Sequence, residues 1–198
     1  MGQISEIWPV EYLNEETMGE PQEPKPSKLF MSLIFAEESC FQLGLQDLLL
    51  TFGETDFLSE RFSFDFTEYY SREMGPILFR HFLAFQSLIP PSTLAEIKLT
   101  TNRIEGKYVH LQGDRRLNID PGYLSLEHVI LATTKGYTHR PYLRDGIYAD
   151  LTLIYQKGSY RALEWTYPDY RQPNIIALFN HLRTTYAEAL KRRTNHPC

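Results

Sequence analysis

Residues 28–36, KLFMSLIFA, form a short and nearly continuous apolar run. Such a run suits a central strand buried on both faces, because a strand buried on one side alternates. The rhythm then changes. Phe41, Leu45, Leu48, Leu49 and Phe52 recur at helical spacing, and Gly53 stands where a helix C-cap favours glycine. From Arg61 the period drops to two. Phe62, Phe64 and Phe66 alternate with Ser63, Asp65 and Thr67, which predicts a strand with one apolar and one polar face. After Pro76, residues 77–89 give a further strand-like run that ends at Pro90 and Pro91. Thr93 and Glu96 make a capping-box pattern. Leu94, Ile97, Thr101, Ile104, Tyr108 and Leu111 follow at steps of three or four, predicting a helix over 93–111. RRLNID, residues 115–120, is the next strand candidate, closed by a turn-forming Asp-Pro-Gly.

Strand, helix, strand, strand, helix, strand is the order of a ferredoxin-like βαββαβ core, in which both helices cover one face of an antiparallel sheet. Beyond it come LEHVILATT (126–134), GIYADLTLIY (146–155) and YRALEWTY (160–167). The last two are joined by QKGS, a Gly-containing hairpin turn. LEHVILATT fits a strand or a buried helix segment equally in pattern. Residues 174–192 offer an amphipathic helix through Ile175, Ile176, Leu178, Phe179, Leu182 and Tyr186. The expectation is an α+β domain: a ferredoxin-like core with extra antiparallel strands, a β-hairpin and a C-terminal helix.

Composition refines the boundaries. Residues 1–27 are acidic and end in a Pro-rich run, which favours an extended arm over a packed element. Residues 28–192 then read as a single domain and 193–198 as a short tail. Aromatic residues, at 14%, are abundant, with 13 Tyr and 12 Phe. Rings suit strand faces, and Tyr suits sites that are half apolar and half wet. The formal charge of −5 argues against a protein that grips duplex nucleic acid by general basicity. Cys40 and Cys198 are far apart and lack metal-ligand spacing. No run reaches the roughly 20 apolar residues of a membrane helix, and the N-terminus lacks a secretory pattern. A cytoplasmic protein without a membrane partner is the expectation.

Three constellations carry candidate chemistry. KGYTHRPYLR sets Lys135, His139, Arg140 and Arg144 within ten residues of an otherwise acidic chain. Arg offers a planar fork for phosphate or carboxylate, and His titrates near neutrality. No GxxxxGK[ST] or GxGxxG run accompanies them. Carboxylates form the second group, with Asp65, Asp120 and Asp169 as candidate catalytic residues. Two or three carboxylates brought together can hold magnesium or act as general acid and base. The third is the corner EWTYPDYR, where Trp165, Tyr167 and Tyr170 stand beside Glu164, Asp169 and Arg171. It reads as an aromatic wall with polar contacts, or as a structural corner in which Tyr hydroxyls fix the turn.

FDFTEYYSREMGP, LNIDPGYL, TTKGYTHRPYL, DGIYADLTL and EWTYPDYR together resemble the uncharacterised bacterial family catalogued as domain of unknown function 4416. The resemblance runs from about Lys28 to about Leu190. It implies a single-domain, cytoplasmic protein and brings no activity, substrate or catalytic residue.

The residues therefore suggest a domain that binds a phosphorylated small molecule or nucleotide. Lys135, His139, Arg140 and Arg144 would meet the anion, with Trp165 and Tyr167 beside an apolar or base-like part of the ligand and Arg171 as a polar contact. The competing reading is a non-catalytic assembly module, whose aromatic and Arg motifs form an interface in a homo-oligomer.

Overall fold

A computed structural model of the chain describes residues 20–66, 70–110 and 114–195. Its elements run β1 (Ser27–Phe35), α1 (Glu38–Phe52), β2 (Thr55–Leu58), β3 (Phe62–Ser63), a single turn α2 (Ser71–Met74) and β4 (Phe79–Ile89). They continue with α3 (Leu94–Glu105), β5 (Leu117–Leu124), β6 (His128–Thr133), β7 (Tyr142–Arg144), β8 (Ile147–Gln156), β9 (Ser159–Ala162) and α4 (Pro173–Asn195). Among the described residues all nine strands join one antiparallel sheet, ordered β2-β4-β1-β5-β6-β8-β7. β3 lies beside β4, and β9 beside β8. The α+β class and the C-terminal helix agree with the sequence reading.

The sheet is covered on both faces, which explains the continuous apolar run of β1. Its Leu29, Met31, Leu33 and Phe35 meet α1 and α3 through Phe41, Leu48, Ile97 and Ile104. Its Phe30 points the other way, into a cluster with Phe179, Leu182 and Tyr186 of α4. α4 covers only part of this second face. Beyond it the strands present polar side chains: Ser32 on β1, Arg80 on β4, Asp120 on β5 and Asp150 on β8.

Several local expectations are corrected. The alternating stretch from Arg61 keeps only Phe62 and Ser63 as strand, because the chain then leaves the sheet and Phe64 packs in a small cluster with Met74 and Leu78. The strand that follows α1 is instead Thr55–Leu58, paired with β4. Thr93 does not cap α3. It lies in helical geometry and its hydroxyl donates to the Pro90 carbonyl, while Glu96 pairs with Arg144. α3 ends at Glu105 rather than 111, since the chain turns at Gly106 and Lys107 to bring Val109 beside Arg115. Tyr108 still packs against the first core, and Leu111 lies outside the described residues. The last sheet strand stops at Ala162, so EWTY is turn.

Asp120-Pro121-Gly122 is not a turn. It is the middle of β5. A strand tolerates proline where the missing N–H would face no partner. β5 pairs with β1 along its whole length, but with β6 only from Gly122 to Leu124. Before Gly122 the two strands separate. Alternate residues of an antiparallel strand turn their backbone groups to opposite neighbours, so Ile119 and Pro121 share the edge that faces this opening. Ile119 has no strand there. Its N–H donates to the Glu105 carboxylate at 2.5 Å, and its carbonyl accepts from Lys98 Nζ at 2.8 Å. Two side chains of α3 stand in for the absent strand. Gly122 is needed where the ladder resumes, because a Cβ there would lie 2.4 Å from the Ile130 carbonyl and 2.7 Å from the Phe30 ring.

Candidate functional site

The opening between β5 and β6 continues into a cleft of about 720 Å³. α3 borders it through Lys98 and Glu105, β5 through Asn118 and Asp120, and β6 through Leu131 to Thr133. The loop after β6 adds Lys135 and Arg140, and the corner before α4 adds Tyr167 to Tyr170.

At the loop end, Arg140 is held on three sides. Its Nε donates to Asp150 at 2.7 Å, Nη1 to the Lys135 carbonyl at 3.1 Å and Nη2 to the Tyr167 hydroxyl at 2.6 Å. A guanidinium has five N–H groups. One on each terminal nitrogen remains after these three bonds, and each can donate to a phosphate or carboxylate. Asp150 is 2% exposed and receives Thr152 as well. Burial pushes the Tyr167 phenol above its ordinary range, against the opposing pull of Arg140, so it remains an O–H group.

His139 lies behind this arrangement rather than in the cleft. Its ring stacks on Trp165 with centroids 5.1 Å apart, and its Nε2 stands 3.5 Å from the same Asp150 oxygen without a hydrogen bond. Trp165 donates its indole N–H to the Leu151 carbonyl at 2.8 Å. Arg171 donates to the Thr166 carbonyl at 2.7 Å and to the Glu164 carbonyl, and the Thr166 hydroxyl donates to the Thr152 carbonyl at 2.6 Å. The Trp165 and Thr166 side chains thus staple the corner to the β8 backbone, and Arg171 braces the corner on its own carbonyls. Tyr170 belongs to the core, stacked on Phe179 at 5.7 Å, and is no part of an exposed aromatic wall.

The middle of the cleft holds a buried ion pair between Arg80 and Asp169, with side chains 6% and 8% exposed. The Arg80 guanidinium also lies over the rings of Phe64 and Phe82, 4.4 and 5.1 Å from their centroids. Weak hydration of guanidinium makes Arg suited to such a place. Burial raises the Tyr170 phenol well above its usual value despite the nearby Arg80 charge.

At the far end, Lys98 stands 3.5 Å from Asp120 and 3.9 Å from Glu105. Burial pushes the Glu105 carboxyl up, while Lys98 and the Ile119 N–H act in the other direction. Asn118 bridges two charges: it donates to Asp120 at 2.8 Å and accepts from Arg115 at 2.9 Å. Arg115 also pairs with Glu73 at 2.7 Å and lies over the Tyr70 ring. Burial raises the Tyr70 phenol strongly, with the Asp120 charge adding to the rise.

Of the residues singled out from the sequence, Asp120, Lys135, Arg140, Tyr167 and Asp169 converge on one cleft. His139, Trp165 and Arg171 support its wall from behind. Arg144 pairs with Asp145 and Glu96 away from it. Asp65 is exposed, between two lining rings but not itself a lining residue. Arg80, Lys98, Glu105, Arg115 and Tyr70 were missed. Lys98 and Glu105 fall on the buried stripe of α3 with Leu94 and Thr101, and charged residues on an apolar stripe are a signal that sequence does contain. No cluster of three His, Cys, Asp or Glu side chains arranged for a metal occurs among the described residues. Nor is any described helix long and apolar enough to cross a membrane.

The chain belongs to the family described as domain of unknown function (DUF4416), whose model matches residues 25–186. No curated protein and no solved structure matches it.

Proposed function

We propose that the cleft binds a phosphorylated small molecule or nucleotide, with the anion received at the loop end by Arg140 and Lys135. The supporting observation is the state of Arg140: three bonds fix its plane and two N–H groups remain for a ligand. Donors fixed before binding lose little entropy when the anion arrives. Tyr167 shields it from water on one side, and its phenol stays protonated. Asp120 and Asp169 are then the carboxylates placed to act on such a ligand or on a magnesium ion that accompanies it. Asp169 is committed to Arg80, so Asp120 is the better placed of the two.

A thermal-shift screen of nucleotides, sugar phosphates and pyrophosphate, with and without magnesium, tests this reading. A ligand at 100 times its Kd should stabilise the protein by about 2.7 kcal/mol. Arg140→Ala should abolish the shift, and Arg140→Lys should restore only part of it because the fork is lost. An Arg140→Ala protein that responds like the wild type overturns the proposal.

A second reading, assembly, draws on aromatic residues outside the cleft. Tyr137 on the basic loop and Tyr142 on β7 are 68% and 60% exposed. Large rings at a surface are enriched in interface cores. Sedimentation of wild type against Tyr142→Ser decides it: a dimer lost in the variant supports the interface.

A further inference from the structure

The two ends of the cleft differ in hydrogen-bonding sense. Arg140 and Lys135 make the loop end a donor. The β5 end offers acceptors, and the first is Asp120. Its side chain is 31% exposed, whereas those of Asp150, Asp169 and Glu105 are 2%, 8% and 11% exposed. One Asp120 oxygen accepts from Asn118 at 2.8 Å and the other meets Lys98 only at 3.5 Å. An ionised carboxylate has roughly four lone-pair sites, so accepting capacity remains for a group bound in the cleft that Asp120 lines.

The second acceptor is a backbone carbonyl. Ala149, opposite Ala132 on β8, donates its N–H to Pro141 on the other edge of β8. The pair is therefore the kind without mutual hydrogen bonds, and the Ala132 carbonyl points away from β8, towards β5. One step past the Gly122–Leu131 pair the strands have parted, and the residue in register on β5 is Pro121, which has no N–H to give. Ala132 is buried and lines the cleft. A carbonyl that the sheet ladder leaves without its strand partner gains from a donor, and a ligand can supply one. Phe66 and Tyr70 flank the same end and provide a ring surface.

We infer that the ligand end remote from the phosphate carries hydroxyl or amino groups, received by Asp120 and the Ala132 carbonyl. This rests on the phosphate-binding reading and narrows it. The ligand class is a phosphorylated polyol or amino compound, whether a free sugar phosphate or the ribose of a nucleotide. Acceptor-only anions such as pyrophosphate are excluded as full ligands.

Isothermal titration with hexose phosphates, an amino-sugar phosphate, nucleoside monophosphates and pyrophosphate separates the cases. At least one donor-bearing phosphate should bind about tenfold or more tightly than pyrophosphate. Asp120→Asn should weaken that ligand roughly tenfold. A preference for hexose phosphates over nucleotides assigns the free sugar phosphate, and the reverse assigns the nucleotide; either supports the inference. Pyrophosphate binding as tightly as every other compound overturns it while leaving the phosphate reading intact. Unphosphorylated sugars or nucleosides binding as tightly as their phosphates overturn the phosphate reading and support the acceptor end. Binding by none of them overturns both. Should Asp120→Asn fail to fold, the wild type with a sugar phosphate and its deoxy analogue gives the same test. Equal affinity for the two analogues overturns the inference.

Discussion

The two faces of this sheet are built on different principles. Between β1 and the α1–α3 layer the contact is dry and apolar, with Leu33, Phe35, Phe41 and Leu83 all buried. Across the same strands, the second face is apolar under α4 and in a small cluster of Ile34 with Phe64, Met74 and Leu78, and elsewhere carries Arg80, Asp120 and Asp150. Burial of apolar area stabilises without regard to direction. Buried charges must be matched one by one and leave little net stability. The comparison rests the first face on apolar packing and puts most of the candidate chemistry on the second.

The largest effect is therefore expected on the dry face. Phe35→Ala should cost about 4 kcal/mol in urea denaturation, through lost transfer energy and the cavity left behind. A loss below about 1 kcal/mol would break the comparison, since apolar packing would then not hold the first face. Next comes the buried pair. Asp169→Ala should cost about 3 kcal/mol by leaving Arg80 charged, buried and unmatched. Arg80→Met combined with Asp169→Leu should recover most of that loss, because the pair itself contributes little over an apolar replacement. A double variant as unstable as Asp169→Ala alone would show that the second face depends on its charges.

The smallest effect is alkaline. Tyr108, at the margin of the dry face, has its phenol pushed up to about 12 by burial, with Asp47 adding to the rise. Tyr70, Tyr160, Tyr167, Tyr170 and Tyr186, on or beside the second face, are all raised, mainly by burial. A phenol raised in the folded state holds its proton more tightly than in the unfolded chain. Its contribution is fully present below about pH 10, the unfolded value, and is lost as pH rises through the folded value. Stability should fall above about pH 10, and Tyr108→Phe should lessen the part of the fall up to about 12. Denaturation at stepped pH measures it, and a flat profile would contradict the buried phenols.

How much of this was legible follows from range. β1, α1, β4 and α4 were readable because their periodicity is local and their apolar faces are long. The hairpin of β8 and β9 was readable from its glycine. β2 and β7 were not: TDFL and YLR carry no period and are strands only because β4 and β8 offer them an edge. Asp-Pro-Gly was misread because its turn propensity is strong, and only the partner of the next strand shows that Pro121 faces an opening. Half of the candidate site shared that fate. The loop and corner announce themselves by composition. Lys98, Glu105 and Arg115 become site residues only when β5 and β6 part, an event set by pairing at long range.

The parting of β5 from β6 also creates two strand edges in the interior of a sheet. An edge is a template on which another chain can add a strand, and proteins guard such places with charge and proline. Here the guard is Pro121 on one step and the Lys98–Glu105 pair on the other. The same three residues that keep the cleft open would thus keep stray chains out of it. A sequence that lost them would trade an open cleft for a nucleus of self-association.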